Sequence, residues 1–261
     1  AGAIGQIHVS VHEHKHEMCI SPVWGSPTPD TLVNLPSTVV VTVSKADGEM
    51  LKARVARGEG EVTLFAEVDT GWRKTPILVA DMASEGGSTE PFIMFSGHHD
   101  TWYQGVMDNG GANATMLEVA RLVSQDRAAW RRGLRLCFWS GHSHGRYSGS
   151  TWYADNKWQE LAARCLVHIN VDSTGAKGNT VLADMLSSSE LRGLAADAVL
   201  TQGGEELSGQ RMSRAGDQSF WGIGIPSMFM GAGEQPAGSA DDVAGAIFGG
   251  GNRKGAGFGW W

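Results

Sequence analysis

The sequence predicts an α/β fold, a doubly wound and mostly parallel sheet with helices on both faces, together with a small β-rich domain. From residue 91 onward, short and fully apolar runs alternate with segments of helical periodicity. Such alternation is typical of a parallel sheet whose strands are covered by helices on both sides. Before residue 58, apolar residues instead alternate at period two or form β-branched runs between turns, which favours a β-rich domain of its own.

The small domain is predicted over residues 1–57. Residues 4–11 alternate apolar and polar side chains, and residues 37–43 form a β-branched run, so both segments are predicted as strands. The Ala-Asp-Gly sequence at 46–48 is typical of a turn, and we expect it to lead into a further extended segment at 50–55.

The large domain is predicted over residues 58–261. It begins with two connecting strands, at 62–68 and 76–81, and a polar Gly/Ser linker at 85–90. Its further elements are, in order, strand 92–95, helix 113–125, strand 134–139, helix 152–163, strand 166–171, helix 188–200 and strand 225–230. Strands that alternate with helices in this way predict the doubly wound sheet.

Composition and charge argue against several functional classes. The chain of 261 residues has a formal net charge of −7 and no stripe of Lys and Arg interleaved with aromatic residues, so we expect no nucleic-acid partner. Its longest apolar runs have the length of strands, and we therefore expect no membrane span in this segment. The three cysteines are too scattered for a disulfide framework, and Cys137 and Cys165 are predicted to be buried free thiols.

Both ends of the chain have the character of loops rather than of finished elements. The chain opens on a turn that feeds a strand, and it closes on a glycine-rich stretch. We therefore expect an internal fragment of a longer protein, and its compartment does not follow from the sequence.

Histidine and aspartate residues close three successive strands of the predicted large domain. His98 and Asp100 follow the first of these strands, His142 and His144 follow the second, Asp172 follows the third, and Asp108 precedes the first helix. Ligands of open α/β sheets bind at the carboxyl ends of the strands, so these side chains are predicted to meet at one edge. Two imidazoles and two carboxylates form a ligand set that zinc favours. A lone strand-end histidine is more often a surface residue, but four such positions in register favour a metal site.

Asp100 is predicted to orient His98 at this site. Residues two apart in an extended segment share a face, so the Asp100 carboxylate can hold the His98 ring. Zinc-bound histidines are commonly held by a carboxylate in this manner.

Several segments closely resemble the M28 metallopeptidases, a family that includes bacterial aminopeptidases and glutamate carboxypeptidase. The matching segments are 95–102, 105–113, 117–121, 136–139, 147–152, 168–172, 217–220 and 224–227. Residues 1–57 resemble, more weakly, the protease-associated domain that some members of the family carry. The resemblance implies the zinc-exopeptidase fold and a hydrolase that acts on peptide bonds.

The resemblance also implies a role for each matching residue. His98 and Asp172 would bind one zinc ion, and Asp108 would bridge two, so zinc is the expected cofactor, with two ions or one per chain. Asp100 would orient His98, and the peptide bond between Asp108 and Asn109 would be cis, as it is in relatives.

The sequence departs from the family pattern in the loop after residue 139. The family places two glutamates there, a general base and a zinc ligand, whereas this chain has His142, Ser143 and His144 in a loop that is one residue longer. A neutral imidazole can replace a carboxylate as a zinc ligand, and we assign that role to His142, which is nearer the strand end. His144 can then move protons, while a loop-capping role stays the alternative for either histidine. The last zinc histidine of the family would lie beyond Trp261.

Two further residues are candidates for substrate contacts. Arg146 can bind a substrate carboxylate through two parallel hydrogen bonds, although a structural ion pair is an equal interpretation. Asp217 lies in the matching segment ahead of the last strand, and the resemblance assigns it to the substrate site.

These observations predict an exopeptidase-like hydrolase, an aminopeptidase or carboxypeptidase, in which a zinc-activated water attacks a peptide or small amide bond. The alternative is a non-catalytic binding scaffold on the same fold, which the loss of the glutamate pair favours. The transferrin receptor, which resembles this family, illustrates that use. A scaffold, however, has no need to keep buried charges such as His98 and Asp108 without a cation. The expected partner is the substrate, and a homo-oligomer stays an open alternative.

Overall fold

The computed structural model of the chain separates into two compact units, Ala1–Lys74 and Thr75–Trp261. It describes residues 2–10, 28–34, 38–69, 71–87, 89–101, 104–142, 145, 147–172, 174, 181–183, 185–209 and 218–231. Among these residues, no helix is both long enough and apolar enough to span a bilayer.

The first unit pairs two parallel strands, β1 (Gly5–Val9) and β2 (Val39–Val43), as the alternating and β-branched runs predicted. The prediction for residues 46–55 was wrong, because this segment lies in a helix, α1 (Lys45–Ala56). Ser44 caps that helix: its hydroxyl accepts the Asp47 N–H at 3.2 Å and donates to the Asp47 carboxylate at 2.8 Å. The Ala-Asp-Gly sequence therefore forms the first turn of a helix and not a reverse turn.

Gly48 serves close packing within this unit. A Cβ at this position would lie 2.2 Å from Cγ1 of Val9, so only glycine lets α1 approach β1 this closely. The strand predicted at 62–68 is also wrong, since the described residues 59–69 have no regular secondary structure. Phe65 and Val68 are exposed there, because the extended segment has no neighbouring strand to pair with. The assignment to a protease-associated domain stays a prediction.

The second unit is built on a six-stranded sheet with the order β3-β5-β4-β6-β8-β7. The strands are β3 (Leu78–Met82), β4 (Phe92–His98), β5 (Gly133–Trp139), β6 (Cys165–Val171), β7 (Leu186–Ser187) and β8 (Ser227–Met230). The four central strands are parallel, and the two edge strands, β3 and β7, are antiparallel to their neighbours. The α/β fold with a mostly parallel sheet is thus confirmed.

Helices cover both faces of this sheet. Met94 and Phe95 of β4 point to opposite sides, where they join separate cores. Met94 packs with residues of α3 (Ser148–Arg164), and Phe95 packs with residues of α2 (Ala112–Val123). A third helix, α4 (Arg192–Gly203), packs through Ala195 and Val199 against β8. Cys137 and Cys165 are buried free thiols, as predicted.

Candidate metal centre

The strand order places a crevice at the carboxyl ends of β4 and β6. These strands are neighbours, but the chain leaves β4 toward β5 on one side and leaves β6 toward β8 on the other. Ligands of open α/β sheets bind at such a reversal of strand order. His98 is the last residue of β4, and Asp172 directly follows β6, so both side chains stand at this crevice.

His98 is almost completely buried in the crevice, with 1 % of its surface exposed. Its Nε2 lies 2.9 Å from Oδ1 of Asp108 and 3.5 Å from Oδ1 of Asp172. Its Nδ1 lies 2.8 Å from the backbone oxygen of Asp100. This bond fixes the ring and directs Nε2 toward the two carboxylates.

The pKa of His98 reflects this surplus of negative charge. Burial by itself would lower the pKa, because it removes water from the imidazolium. The carboxylates of Asp108 and Asp172 outweigh burial and raise the pKa of His98 well above its ordinary value. The crevice therefore attracts a cation, either a proton on His98 or a metal ion.

His142 enters the site from the loop that follows β5. Its ring is stacked on that of His98, with the centroids 3.8 Å apart and the planes within 3° of parallel. Its Nε2 lies 3.6 Å from Oδ2 of Asp172. Its backbone N–H donates to Oδ1 of Asp100 at 3.1 Å. Asp100 thus ties the loop that carries His142 to the end of β4.

Asp108 lies in the turn Val106–Gly111 that leads into α2, and its backbone there is not helical, with a φ of −112° and a ψ of 87°. The peptide bond between Asp108 and Asn109 is cis, as the resemblance implied. The buried Asn109 side chain donates to the backbone oxygen of Val171 at 3.2 Å, which ties this turn to the end of β6. Asp108 and Asp172 are in this way held on neighbouring segments.

The residues present fit a zinc ion. His98 Nε2 and Asp108 Oδ1 are buried and close together, yet neither makes a properly aligned hydrogen bond within the described part of the chain. Ligand atoms of His98, His142 and Asp172 all lie within 4.8 Å of one another. Imidazole nitrogens and carboxylate oxygens are the zinc ligands of proteins, and the free ring nitrogen of a zinc-bound histidine is usually held by a carbonyl or carboxylate, as Nδ1 of His98 is.

Four predicted ligands, His98, Asp108, His142 and Asp172, come together at this crevice. The role of Asp100 differs from the predicted one, because its carboxylate lies 3.7 Å from Nδ1 of His98 and its backbone oxygen makes the hydrogen bond instead. The remaining predicted site residues, His144, Arg146 and Asp217, lie outside the described residues.

Sequence reasoning missed Tyr147, whose ring contacts that of His142 edge-on at 4.9 Å. Its position in the loop after β5, five residues past His142, was the available signal. Its backbone conformation, with a φ of 65°, could not be read from the sequence.

The model of the family "Peptidase family M28" matches residues 78–243, which are well over half of the chain. Among curated proteins, a probable glutamate carboxypeptidase of Zea mays is 30% identical over 91 residues, which are 33% of this chain and 13% of that protein. Carboxypeptidase Q of Xenopus laevis is 28% identical over 130 residues, or 48% of this chain and 27% of the relative. The chain therefore matches only a small part of the length of these relatives.

Solved structures share the fold. A peptidase M28 precursor from Shewanella amazonensis superposes with a TM-score of 0.60 and 16% identity, over 88% of this chain and 52% of that one. A zinc aminopeptidase from Bacillus subtilis gives a TM-score of 0.51 and 18% identity, over 62% of this chain and 41% of the other. At these identities the likeness concerns the fold alone, because proteins of one fold can differ in the chemistry of their sites.

Proposed function

Because the chain belongs to peptidase family M28, we propose that it contributes the zinc site of a hydrolase that cleaves a peptide or small amide bond at a chain end. The observation that carries the proposal is the convergence of His98, Asp108 and Asp172 in a buried crevice, where two carboxylates face one imidazole nitrogen at 2.9 and 3.5 Å. Two carboxylates at one buried imidazole are a surplus of negative charge, which a bound cation offsets.

The stacked rings support two ions rather than one. The lone pair of an imidazole lies in the ring plane, and zinc binds in that plane at about 2.0–2.1 Å. The rings of His98 and His142 are parallel and stacked, so the Nε2 atom of each ring would hold a separate ion. We therefore assign His98 and His142 to different ions.

Asp172 is suited to join the two positions. Its Oδ1 is directed to Nε2 of His98 at 3.5 Å, and its Oδ2 to Nε2 of His142 at 3.6 Å. The resemblance gives the bridging role to Asp108, which lies 2.9 Å from His98. Asp172 would also help to hold the metal beside both histidines, because each of its oxygens faces a different imidazole.

The chemistry is divided between the ions and the side chains. Zinc, when bound, acidifies a water molecule and polarises the scissile carbonyl. The backbone oxygen of Asp100 keeps His98 oriented, and the Asp100 carboxylate holds the backbone of His142. In place of the usual glutamate base, we assign proton transfer to the imidazole of His144, and substrate contacts to Arg146 and Asp217.

A second candidate function is a non-catalytic binding scaffold. The observation that favours it is the absence of a carboxylate base from the loop after β5, where the sequence reads His142, Ser143 and His144. The two functions differ in what they need, since a scaffold requires neither bound zinc nor turnover.

The deciding experiment is the zinc content of the purified chain, measured by elemental analysis beside a screen of aminoacyl and N-acyl amide substrates. We expect two ions per chain in the wild type and one in His142→Ala. His99→Ala is the matched control, because the His99 ring bonds to the backbone oxygen of Pro76 at 3.0 Å and should leave both ions bound. A wild-type chain that binds no zinc, even when zinc is supplied, would rule out the hydrolase and leave the scaffold.

A further inference from the structure

Tyr147 has an unusual backbone conformation for its residue type. With a φ of 65°, it is the one non-glycine residue of the described chain that lies in the left-handed region. For residues with a Cβ, this region costs roughly 1–2 kcal/mol. The same loop already uses glycine for such a turn, since Gly141 has a φ of 67°. A tyrosine at a position that favours glycine points to a function of its side chain.

Hydrogen bonds hold the backbone of Tyr147 on both sides. Its N–H donates to the backbone oxygen of His142 at 3.2 Å, which closes the loop between the two residues. Its backbone oxygen accepts from the N–H of Thr151 at 2.9 Å and from the hydroxyl of Ser150 at 3.2 Å, both in the first turn of α3. The side chain is therefore carried by the start of a 17-residue helix that packs on the sheet.

The ring of Tyr147 contacts the same imidazole that stacks on His98. The Tyr147 and His142 rings meet at 4.9 Å with their planes at 75°, an edge-on arrangement that aromatic rings favour. Within the described part of the chain, the His142 ring contacts one ring at the end of β4 and another at the start of α3. Two contacts from different elements restrict the rotation of an imidazole more than either contact alone.

We propose that Tyr147 is a positioning residue that holds the His142 imidazole parallel to His98, so that His142 offers its Nε2 to an ion of its own. This inference rests on the proposed metal site. The ring makes the contact, so phenylalanine should serve as well as tyrosine. If Tyr147 only began α3, its backbone would matter and its ring would not.

Three substitutions separate the ring from the backbone. Tyr147→Phe keeps the ring, whereas Tyr147→Gly and Tyr147→Ala both remove it. Glycine adopts the left-handed conformation freely, so Tyr147→Gly should melt about 2–4 °C above Tyr147→Ala. Affinity for the second zinc ion should instead be equal in these two variants and about tenfold weaker than in the wild type and in Tyr147→Phe. Wild-type affinity in the glycine and alanine variants would overturn the proposal.

A second measurement keeps the result independent of the proposed function. In the zinc-free protein, nuclear Overhauser contacts between the His98 and His142 rings report the stack directly. We expect them in the wild type and Tyr147→Phe and their loss in Tyr147→Gly and Tyr147→Ala. If the wild type binds no zinc, the proposed function fails, and the ring contacts alone decide the role of Tyr147. Ring contacts that persist in all variants would overturn it.

Discussion

Among the described residues of the second unit, two buried charged clusters are satisfied in opposite ways. In the first, Arg135 near the start of β5 is 5 % exposed and receives its counter-charges from the protein. Its guanidinium donates to Asp81 at 2.7 and 2.9 Å, to Glu160 at 2.8 Å and to the Tyr153 hydroxyl at 2.9 Å, and it lies 4.2 Å from the centre of the Phe92 ring.

The second cluster lies at the opposite end of the strands, where His98 faces Asp108 and Asp172. Here the carboxylates meet an imidazole that is neutral unless protonated, and His98 Nε2 and Asp108 Oδ1 lack an aligned hydrogen bond within the described residues. The comparison teaches that burial of charge does not by itself mark a functional site. A cluster whose donors and acceptors are matched serves stability, whereas a cluster with two carboxylates around one imidazole is suited to bind a cation.

The largest expected effect concerns activity at the second cluster. His98→Ala should lower kcat/KM for an amide substrate by at least about 1,000-fold, or ~4 kcal/mol, because it removes a ligand and the most buried imidazole of the crevice. Arg135→Met should keep the wild-type rate per folded molecule. Steady-state kinetics and the zinc content of the same samples test this prediction. A kcat/KM of His98→Ala within tenfold of the wild-type value would contradict it.

The next effect concerns stability at the first cluster. Arg135→Met should lower the free energy of unfolding by about 3 kcal/mol, since it breaks a buried hydrogen-bonded ion pair. Partial exposure of Asp81 and Glu160, at 55% and 31% of their side chains, keeps the loss from being larger. Urea denaturation without zinc measures this loss in the free energy of unfolding. Arg132→Met is the control, because the exposed Arg132 donates to the neighbouring backbone oxygen of Arg131 at 2.7 Å, and its loss should cost less than about 0.5 kcal/mol.

Zinc should stabilise the protein through the second cluster alone. At 100 times its Kd, zinc should add about 2.7 kcal/mol and raise Tm by about 5–11 °C. The shift should be smaller in His98→Ala, which loses one of the two proposed ions, and should be unchanged in Arg135→Met. The increase in Tm should also become smaller as the pH falls. The pKa of His98 is raised in the zinc-free protein, so zinc must displace a proton to bind. Thermal unfolding with zinc or chelator at pH 6 and pH 8 measures both effects, and an equal shift in His98→Ala would contradict them.

The smallest effect is the pH dependence of the first cluster. The hydrogen bond from Arg135 lowers the pKa of Glu160 below its ordinary 4.5. The ionised Glu160 therefore adds to the free energy of unfolding above pH 4.5. This stabilisation is lost as the pH falls through the lower pKa that Glu160 has in the folded state. Glu160→Gln should cost about 1 kcal/mol at pH 7, and the difference from the wild type should shrink as the pH falls below 4.5. Denaturation from pH 7 to pH 3 tests this, and a constant difference would argue against the ion pair.

Much of the fold followed from local pattern. The apolar runs that became β4, β5 and β6 were recognisable because a strand covered on both faces has little choice of side chain. The helix α1 was missed because a Ser-x-x-Asp sequence followed by glycine serves a helix start or a turn equally well, and its contact with β1 settles the choice. The two-residue strand β7 is too short to have a period.

The sequence by itself determined which residues can meet at the metal centre. The alternation of strands and helices brings the carboxyl ends of parallel strands to one edge, so His98 and Asp172 were expected at the same edge of the sheet. Only the tertiary structure decided how they meet: the stack of His142 on His98, the exchange of roles between the backbone and the carboxylate of Asp100, and the left-handed turn at Tyr147. The physical reason is that strand ends are set by local periodicity, whereas ring orientation depends on loops that are closed by contacts between distant segments.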